Sequence, residues 1–298
     1  MNIAKKILKI AFFPMMLFGF IGAEIVVSQN QMGFHYTLIL MALALVVSFG
    51  VERIIPHKES WNTSQGDFGR DSIHALVNET MNYGGMFLLP FLSAFAIFPE
   101  IWPSQMAFGF QLIFAIVILD IGSTLFHYLC HKNAFFWRFH AIHHMPTRLY
   151  GFNGLMKHPA FQAIDAVFAL GPLLLIGIPQ DVAIALVFSI FIQLLIQHTN
   201  ADIKTGPFRA LFATAELHRF HHLKGRAGDV NFALFFSVWD RLLGTAYFEK
   251  RIPLHDHEIG IGNANYPASY WEQIKKPFEK KRQPTDSGTN SAAVEGTI

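Results

Sequence analysis

Hydrophobic positions in this 298-residue chain gather into six continuous runs, at residues 8–27, 36–51, 84–98, 106–126, 161–178 and 182–196. Runs that are apolar all round belong to helices surrounded by lipid or by a large core. A straight membrane span needs about 20 residues, with about 17 as the lower limit. The first and fourth runs meet that length outright, and the second and third meet it with their flanks. The last two are shorter and predict a hairpin whose depth in the bilayer length alone leaves open. The pattern therefore predicts an all-α fold, a multi-pass membrane helical bundle.

Breakers and polar stretches divide the chain further. Pro99 and Pro103 turn the third run into the fourth, and 177–181 turns the fifth into the sixth. The sequence predicts three regions: residues 1–83, an N-terminal membrane hairpin with an interfacial segment; 84–250, the central unit; and 251–298, a C-terminal segment. The stretch 52–83 is polar and predicts a path along the membrane surface, with Trp61 at headgroup level. From Lys275 onward the chain turns basic, then rich in Ser, Thr and Gly, which predicts a disordered tail able to touch anionic lipid. Lys5, Lys6 and Lys9 stand at the start of the first run with no small-residue cleavage site after it, so that run is expected to stay as an uncleaved helix.

Composition agrees with lipid as the solvent. The chain is 52% hydrophobic and 15% charged, with a mean hydropathy of +0.33, whereas a soluble domain carries about 25% charged residues. A net charge of +2 and a surplus of 31 Phe point to apolar surface and away from nucleic-acid binding. The single Cys130 excludes an intrachain disulfide and a CxxC zinc site, and reads as a small packed hydrophobe. The connections 28–35, 99–105 and 177–181 hold no Lys or Arg, and all 23 basic residues lie on the other ends of the runs. By the positive-inside rule those ends, and both termini, are expected in the cytoplasm. That means the inner membrane of a bacterium or the endoplasmic reticulum of a eukaryote.

The same ends carry the chemistry. Ten of the fifteen histidines cluster there: His127 and His131 as HxxxH, His140, His143 and His144 as HxxHH, His218, His221 and His222 as a second HxxHH, and the single His158 and His198. Imidazole is the commonest side-chain ligand for transition metals near neutral pH. Ten imidazoles exceed one coordination sphere, so the count predicts two metals in a cytoplasmic histidine-rich cap. Residues four apart share a helix face, so each HxxHH is expected to bring three imidazoles together. Ligand histidines need partners for their second ring nitrogen. The candidates are Asp120, Asp165, Glu216, Asp229, Asn231 and Asp240, with Asp120 expected to reach a ligand on another helix. No catalytic side chain beyond the metal ligands is expected.

Blander readings apply elsewhere. His35, His57, His74, His255 and His257 are isolated and read as surface or satisfied core residues, and one HxxxH alone would be weak evidence. Two other classes compete for the whole set. A metal transporter places its ligands near the bilayer midplane, whereas these boxes lie beyond the apolar runs. A zinc-dependent membrane hydrolase needs about three protein ligands and an open position, fewer than are present.

These motifs resemble the fatty acid hydroxylase and sterol desaturase superfamily of membrane di-iron enzymes. The resemblance is carried by His127-Tyr-Leu-Cys-His131, His140-Ala-Ile-His143-His144, His158-Pro159, Gln197-His198-Thr199-Asn200 and Glu216-Leu-His218-Arg-Phe-His221-His222, then Asn231 and Trp239-Asp240-Arg241-Leu-Leu-Gly244-Thr245. It spans roughly 84–247 and leaves out the first hairpin and the tail; Lys132 stands beside His131 where many members have Arg. The resemblance implies two iron ions, O2 as co-substrate and a membrane lipid as substrate. It also implies attack on an unactivated C–H bond, giving an alcohol or, by loss of a second hydrogen, an alkene. Hydroxylation is favoured over desaturation. The sequence contains no cytochrome b5-like haem segment, so electrons are expected from a separate protein, cytochrome b5-like or a ferredoxin with its reductase.

Overall fold

A computed structural model describes residues 2–249, 255–262 and 266–279. Among these residues the chain is helical, with isolated bridges in place of strands. The long helices are α1 (Ile3–Gln29), α2 (His35–Ile54), α3 (Phe68–Leu92), α4 (Phe108–Lys132), α6 (Pro159–Leu175) and α7 (Gln180–His198). Shorter helices are α5 (Ala134–His144), α8 (Ala215–His221), α9 (Val238–Leu243) and α10 (Tyr270–Lys275). Four helices, α1, α2, α4 and α7, are long and apolar enough to cross a membrane.

Helix α7 is the axis of the bundle: 83% of its apolar window is buried inside the protein, against 33% to 39% for the other three. One apolar core packs Phe12, Phe13 and Met16 of α1 and Val51 of α2 against Phe188, Phe191 and Leu195 of α7. A second packs Met86 of α3, Leu112 and Leu119 of α4, and Leu173 of α6 against Val182 and Leu186. The N-terminal hairpin thus shares a core with the central unit. Outward positions such as Val46, Phe91, Phe110 and Val167 remain exposed, as lipid-facing residues do. Helices α4 and α6 approach so closely that a Cβ at Gly122 would collide with the Phe168 carbonyl.

The helix ends meet at one rim. Lys9 near the start of α1 pairs with Asp202 beyond α7, and Ile55 after α2 accepts from the Asp202 backbone. Asp71 at the start of α3 accepts from the Tyr150 hydroxyl at 2.7 Å. The histidine boxes gather together at the same end of the bundle.

Two expectations are corrected. The polar stretch 52–83 does not run along the surface as a whole. Helix α3 starts at Phe68, and its polar half buries Asp71, His74 and Asn78 against protein partners. Hydropathy misses such a segment because protein, not water, satisfies its polar groups. Trp61 is 1% exposed, enclosed by Leu149, Phe220 and Ile259, and so is a core residue. The tail expectation falls largely on 280–298, outside the described residues. Its first part is ordered: α10 runs to Lys275, and Pro277 is buried in the 3-10 turn Lys276–Phe278.

Candidate metal centre

Nine histidines converge into two groups. His127 and His131 from α4, His140 and His144 from α5, and His221 from α8 form the first. His143 from α5, His198 at the end of α7, and His218 and His222 from α8 form the second. Within each group the candidate ligand nitrogens lie within 4.8 Å of one another.

Each HxxHH box is split between the groups, contrary to the expectation that its three rings converge. Successive residues turn by about 100° around a helix. Positions i and i+4 are therefore nearly aligned, while i+3 and i+4 diverge by a full 100°. Helix α5 sends His140 and His144 to the first group and His143 to the second, and α8 sends His218 and His222 to the second and His221 to the first. Two short helices laid between the centres thus serve both.

Backbone carbonyls orient three of the nine rings. The Nδ1 of His127 lies 2.8 Å from the Phe232 carbonyl, that of His221 2.9 Å from Val230, and that of His198 2.9 Å from Leu194. A carbonyl only accepts, so each Nδ1 carries the proton and each Nε2 presents a bare lone pair. His131 is held instead by Asp229, at 3.1 Å from Nδ1. In α5 and α8, the imidazoles of His140, His143, His144, His218, His221 and His222 sit well below their ordinary pKa. Burial is the main cause, and neighbouring charges add to it. They are neutral, the form that binds metal.

The donor set fits a pair of cations. The buried Nε2 atoms of His127 and His221 have no hydrogen-bond partner. The Nε2 of His198 lies 3.0 Å from that of His218, 3.2 Å from that of His222 and 3.3 Å from that of His143. Having its proton on Nδ1, His198 can accept but cannot donate there. Several lone pairs crowded into one point need a positive charge between them. Nitrogens about 2.1 Å from a common metal stand roughly 3 Å apart, the spacing seen here.

The remaining sequence candidates lie elsewhere. His158 belongs to neither group: its Nδ1 caps α6 by accepting from the Ala160 amide at 2.9 Å, and its Nε2 meets the Ile274 carbonyl at 3.0 Å. Of the six proposed ring partners, Asp229 alone touches a histidine. Asp120 accepts from the backbone amides of Leu234, Phe235 and Phe236 and from the Trp239 indole, at 2.7–3.1 Å. Asp240 accepts from the amides of Phe232 and Ala233. Asn231, at φ 54°, donates to the carbonyls of Leu217 and Tyr247. Glu216 accepts from Thr205, and Asp165 from Ser123.

Asp120 and Asp240 nevertheless act on the site through 230–236, the segment whose Val230 and Phe232 carbonyls steer His221 and His127. Gln193 and Gln197, which sequence reasoning did not single out as site residues, clamp the same segment by donating to the carbonyls of Ala233 and Leu234. Their signal was a polar pair at i, i+4 inside an apolar run. Arg219, between the box histidines, was also missed; it donates to the Thr199 and Ala201 carbonyls, both at 2.8 Å, tying α8 to the end of α7.

Two spaces border the groups. A cavity of about 40 Å³ lies on the helix-core side, lined by Ser123, Leu194 and five of the histidines. Past the helix ends, a cleft of about 680 Å³ reaches His131 and His144 between Lys132, Trp137 and Arg226.

A membrane bundle whose rim gathers two all-imidazole groups defines a candidate two-centre metalloenzyme embedded in lipid. Comparison with known proteins sharpens that class. The family described as "Fatty acid hydroxylase" matches residues 112–245, which hold all nine converging histidines. An ornithine lipid hydroxylase (OlsE) of Rhizobium tropici is 32% identical over 257 residues, spanning 81% of this chain and 75% of that protein. Human alkylglycerol monooxygenase is 28% identical over 54% of this chain and 34% of its own length, and sphinganine C4-monooxygenase 2 of Arabidopsis thaliana is 26% identical over 45% and 53%. No solved structure matches. The chain belongs to the fatty acid hydroxylase family. It is an oxygen-dependent oxidoreductase that acts on lipid.

Proposed function

We propose that this protein is a di-iron hydroxylase of a polar membrane lipid, with one iron in each histidine group. The observation that carries this is the pair of converging all-imidazole groups on one rim of an apolar bundle. Bound there, iron supplies the redox chemistry with O2 that an unactivated C–H bond requires. The chain's own residues do the rest. The carbonyls of Val230, Phe232 and Leu194 fix three ring tautomers, and residues of α4, α6 and α7 enclose the small cavity beside them. The substrate's acyl chain approaches from the bilayer side, where that cavity lies. Electrons arrive from a separate protein on the opposite, polar side, where Trp137 stands 5.0 Å from His131, ring to ring. The basic rim supports a cytoplasmic side for it and for both termini by the positive-inside rule; a reporter fused after Ile298 should read cytoplasmic.

The relatives favour hydroxylation over desaturation, and an ornithine-type or similar amino lipid as the substrate class. Expression in a host rich in such lipids, followed by lipid mass spectrometry under labelled dioxygen, tests the reading. A lipid heavier by one oxygen atom derived from O2, lost in His143→Ala, is expected. A product lacking two hydrogens would make the enzyme a desaturase, and no change in any lipid would refute the assignment.

A further inference from the structure

The small cavity on the helix-core side of the histidine groups has one ion pair in its lining, Lys157 with Asp165. His127 and His140 of the first group and His143, His198 and His218 of the second face it. Lys157 and Asp165 also line it, with their side chains 13% and 11% exposed. Lys157 belongs to the segment between α5 and α6, which is pressed onto the second group. A Cβ at Gly154 would stand 2.7 Å from both the His198 Nδ1 and the Leu194 carbonyl. Asn78 of α3 fixes the segment further by donating to the carbonyls of Leu155 and Lys157, each at 3.0 Å.

The ammonium is under-used where it stands. Its carboxylate partner Asp165 is 3.6 Å away, longer than the roughly 2.7–2.9 Å of a charge-assisted hydrogen bond. Asp165 spends an oxygen on the Ser123 hydroxyl at 3.2 Å. The Phe161 ring lies 5.7 Å from the ammonium, and the Glu79 carboxylate of α3 is a further charge close enough to act on it. An ammonium has three donors, so the long pair with Asp165 leaves capacity for a further acceptor. The cavity offers what is missing. Its volume of about 40 Å³ exceeds the roughly 10–15 Å³ that one water needs, yet is far too small for an acyl chain.

We propose that Lys157 is the hydrogen-bond donor of a small-ligand site between the two histidine groups, a site that takes oxygen-class or anionic ligands of two or three heavy atoms. The proposal rests on the dimetal reading, since the metals supply the opposite face of the ligand. It makes Lys157 a catalytic residue in a chain segment that carries no metal ligand.

Azide is the probe. Iron-loaded, oxidised protein in detergent is titrated with azide, followed by the azide-to-iron absorption band, and iron per chain is measured on the same samples. Lys157→Met should bind azide about tenfold more weakly, the loss of one hydrogen bond to a charged group. Lys157→Arg should stay close to the parent, with iron content unchanged in both. Azide affinity equal to the parent in a fully loaded Lys157→Met protein would overturn the proposal and leave the pair with Asp165 as a structural contact. Should the methionine variant fold poorly, Lys157→Leu removes every side-chain donor with a smaller apolar side chain, with the same two outcomes. A parent protein holding fewer than two irons would instead contradict the dimetal reading.

Discussion

The two histidine groups draw on the same short helices but sit in different surroundings. The first has five imidazoles, two of them half-buried, and its His131 is held by Asp229, which also pairs with Lys132 at 2.7 Å beside the cleft. The second has four, all buried, with His198 held by a carbonyl of its own helix. The outer cleft thus reaches the first group at His131 and His144, while the second is covered by α7 and the segment at Gly154. The difference teaches that one sequence motif, used twice, need not yield two equivalent sites. The backbone around each box decides what the site becomes.

The comparison can be broken most forcefully at the crossing residues. Because each HxxHH serves both groups, His143→Ala on α5 and His221→Ala on α8 should each reduce turnover to the detection limit while membrane insertion is kept. Substantial lipid product from either variant would contradict the crosswise arrangement. Asp120→Ala comes next. It leaves three buried amides and an indole N–H without an acceptor, at about 1–3 kcal/mol for each group left unpaired. A melting temperature lowered by many degrees is expected, and one unchanged would show that segment 230–236 does not depend on this clamp. Asp229→Asn sharpens the contrast itself. Changes to a residue that orients a ligand ring typically cost 10–100-fold in metal affinity. A chelator titration should then become biphasic, with one iron leaving early and the other unaffected.

The smallest effect concerns acid. His57 is lowered to about 3 by the Arg219 guanidinium and by burial. Above the ordinary imidazole pKa, about 6.5, it is neutral folded or unfolded, and no stability changes with pH. As pH falls from there toward 3, the unfolded chain takes up a proton that the folded one refuses, so stability declines across that window. His57→Gln should show a shallower fall in melting temperature between pH 6.5 and pH 5; an identical slope would remove His57 from the acid response.

The legible part of this protein was what repeats in the chain. Six apolar runs foretold the long helices, and HxxxH with HxxHH foretold the converging rings, because both depend on spacing along one helix. What stayed hidden depends on contacts across the fold. The allocation of His143 and His221 to opposite groups follows from how α5 and α8 lie between the centres. The ring partners are mostly carbonyls, which every residue possesses, so choosing acidic side chains found Asp229 and misplaced Asp120 and Asp240 by one step. His158 carried a readable warning: a residue directly before a proline at a helix start occupies the cap position, where a side chain accepts from the backbone. Trp61 and the polar half of α3 were misread for a related reason, since polarity and an aromatic ring suit a membrane surface and a protein interior alike.

Two separate cation sites are the centre of the proposed enzyme, and metal analysis addresses them directly. Iron per chain should be about two in the anaerobically purified parent, and about one in both His218→Ala and His221→Ala, each variant having lost a different centre. A single iron or zinc in the parent, or the loss of all metal together in either variant, would contradict the account.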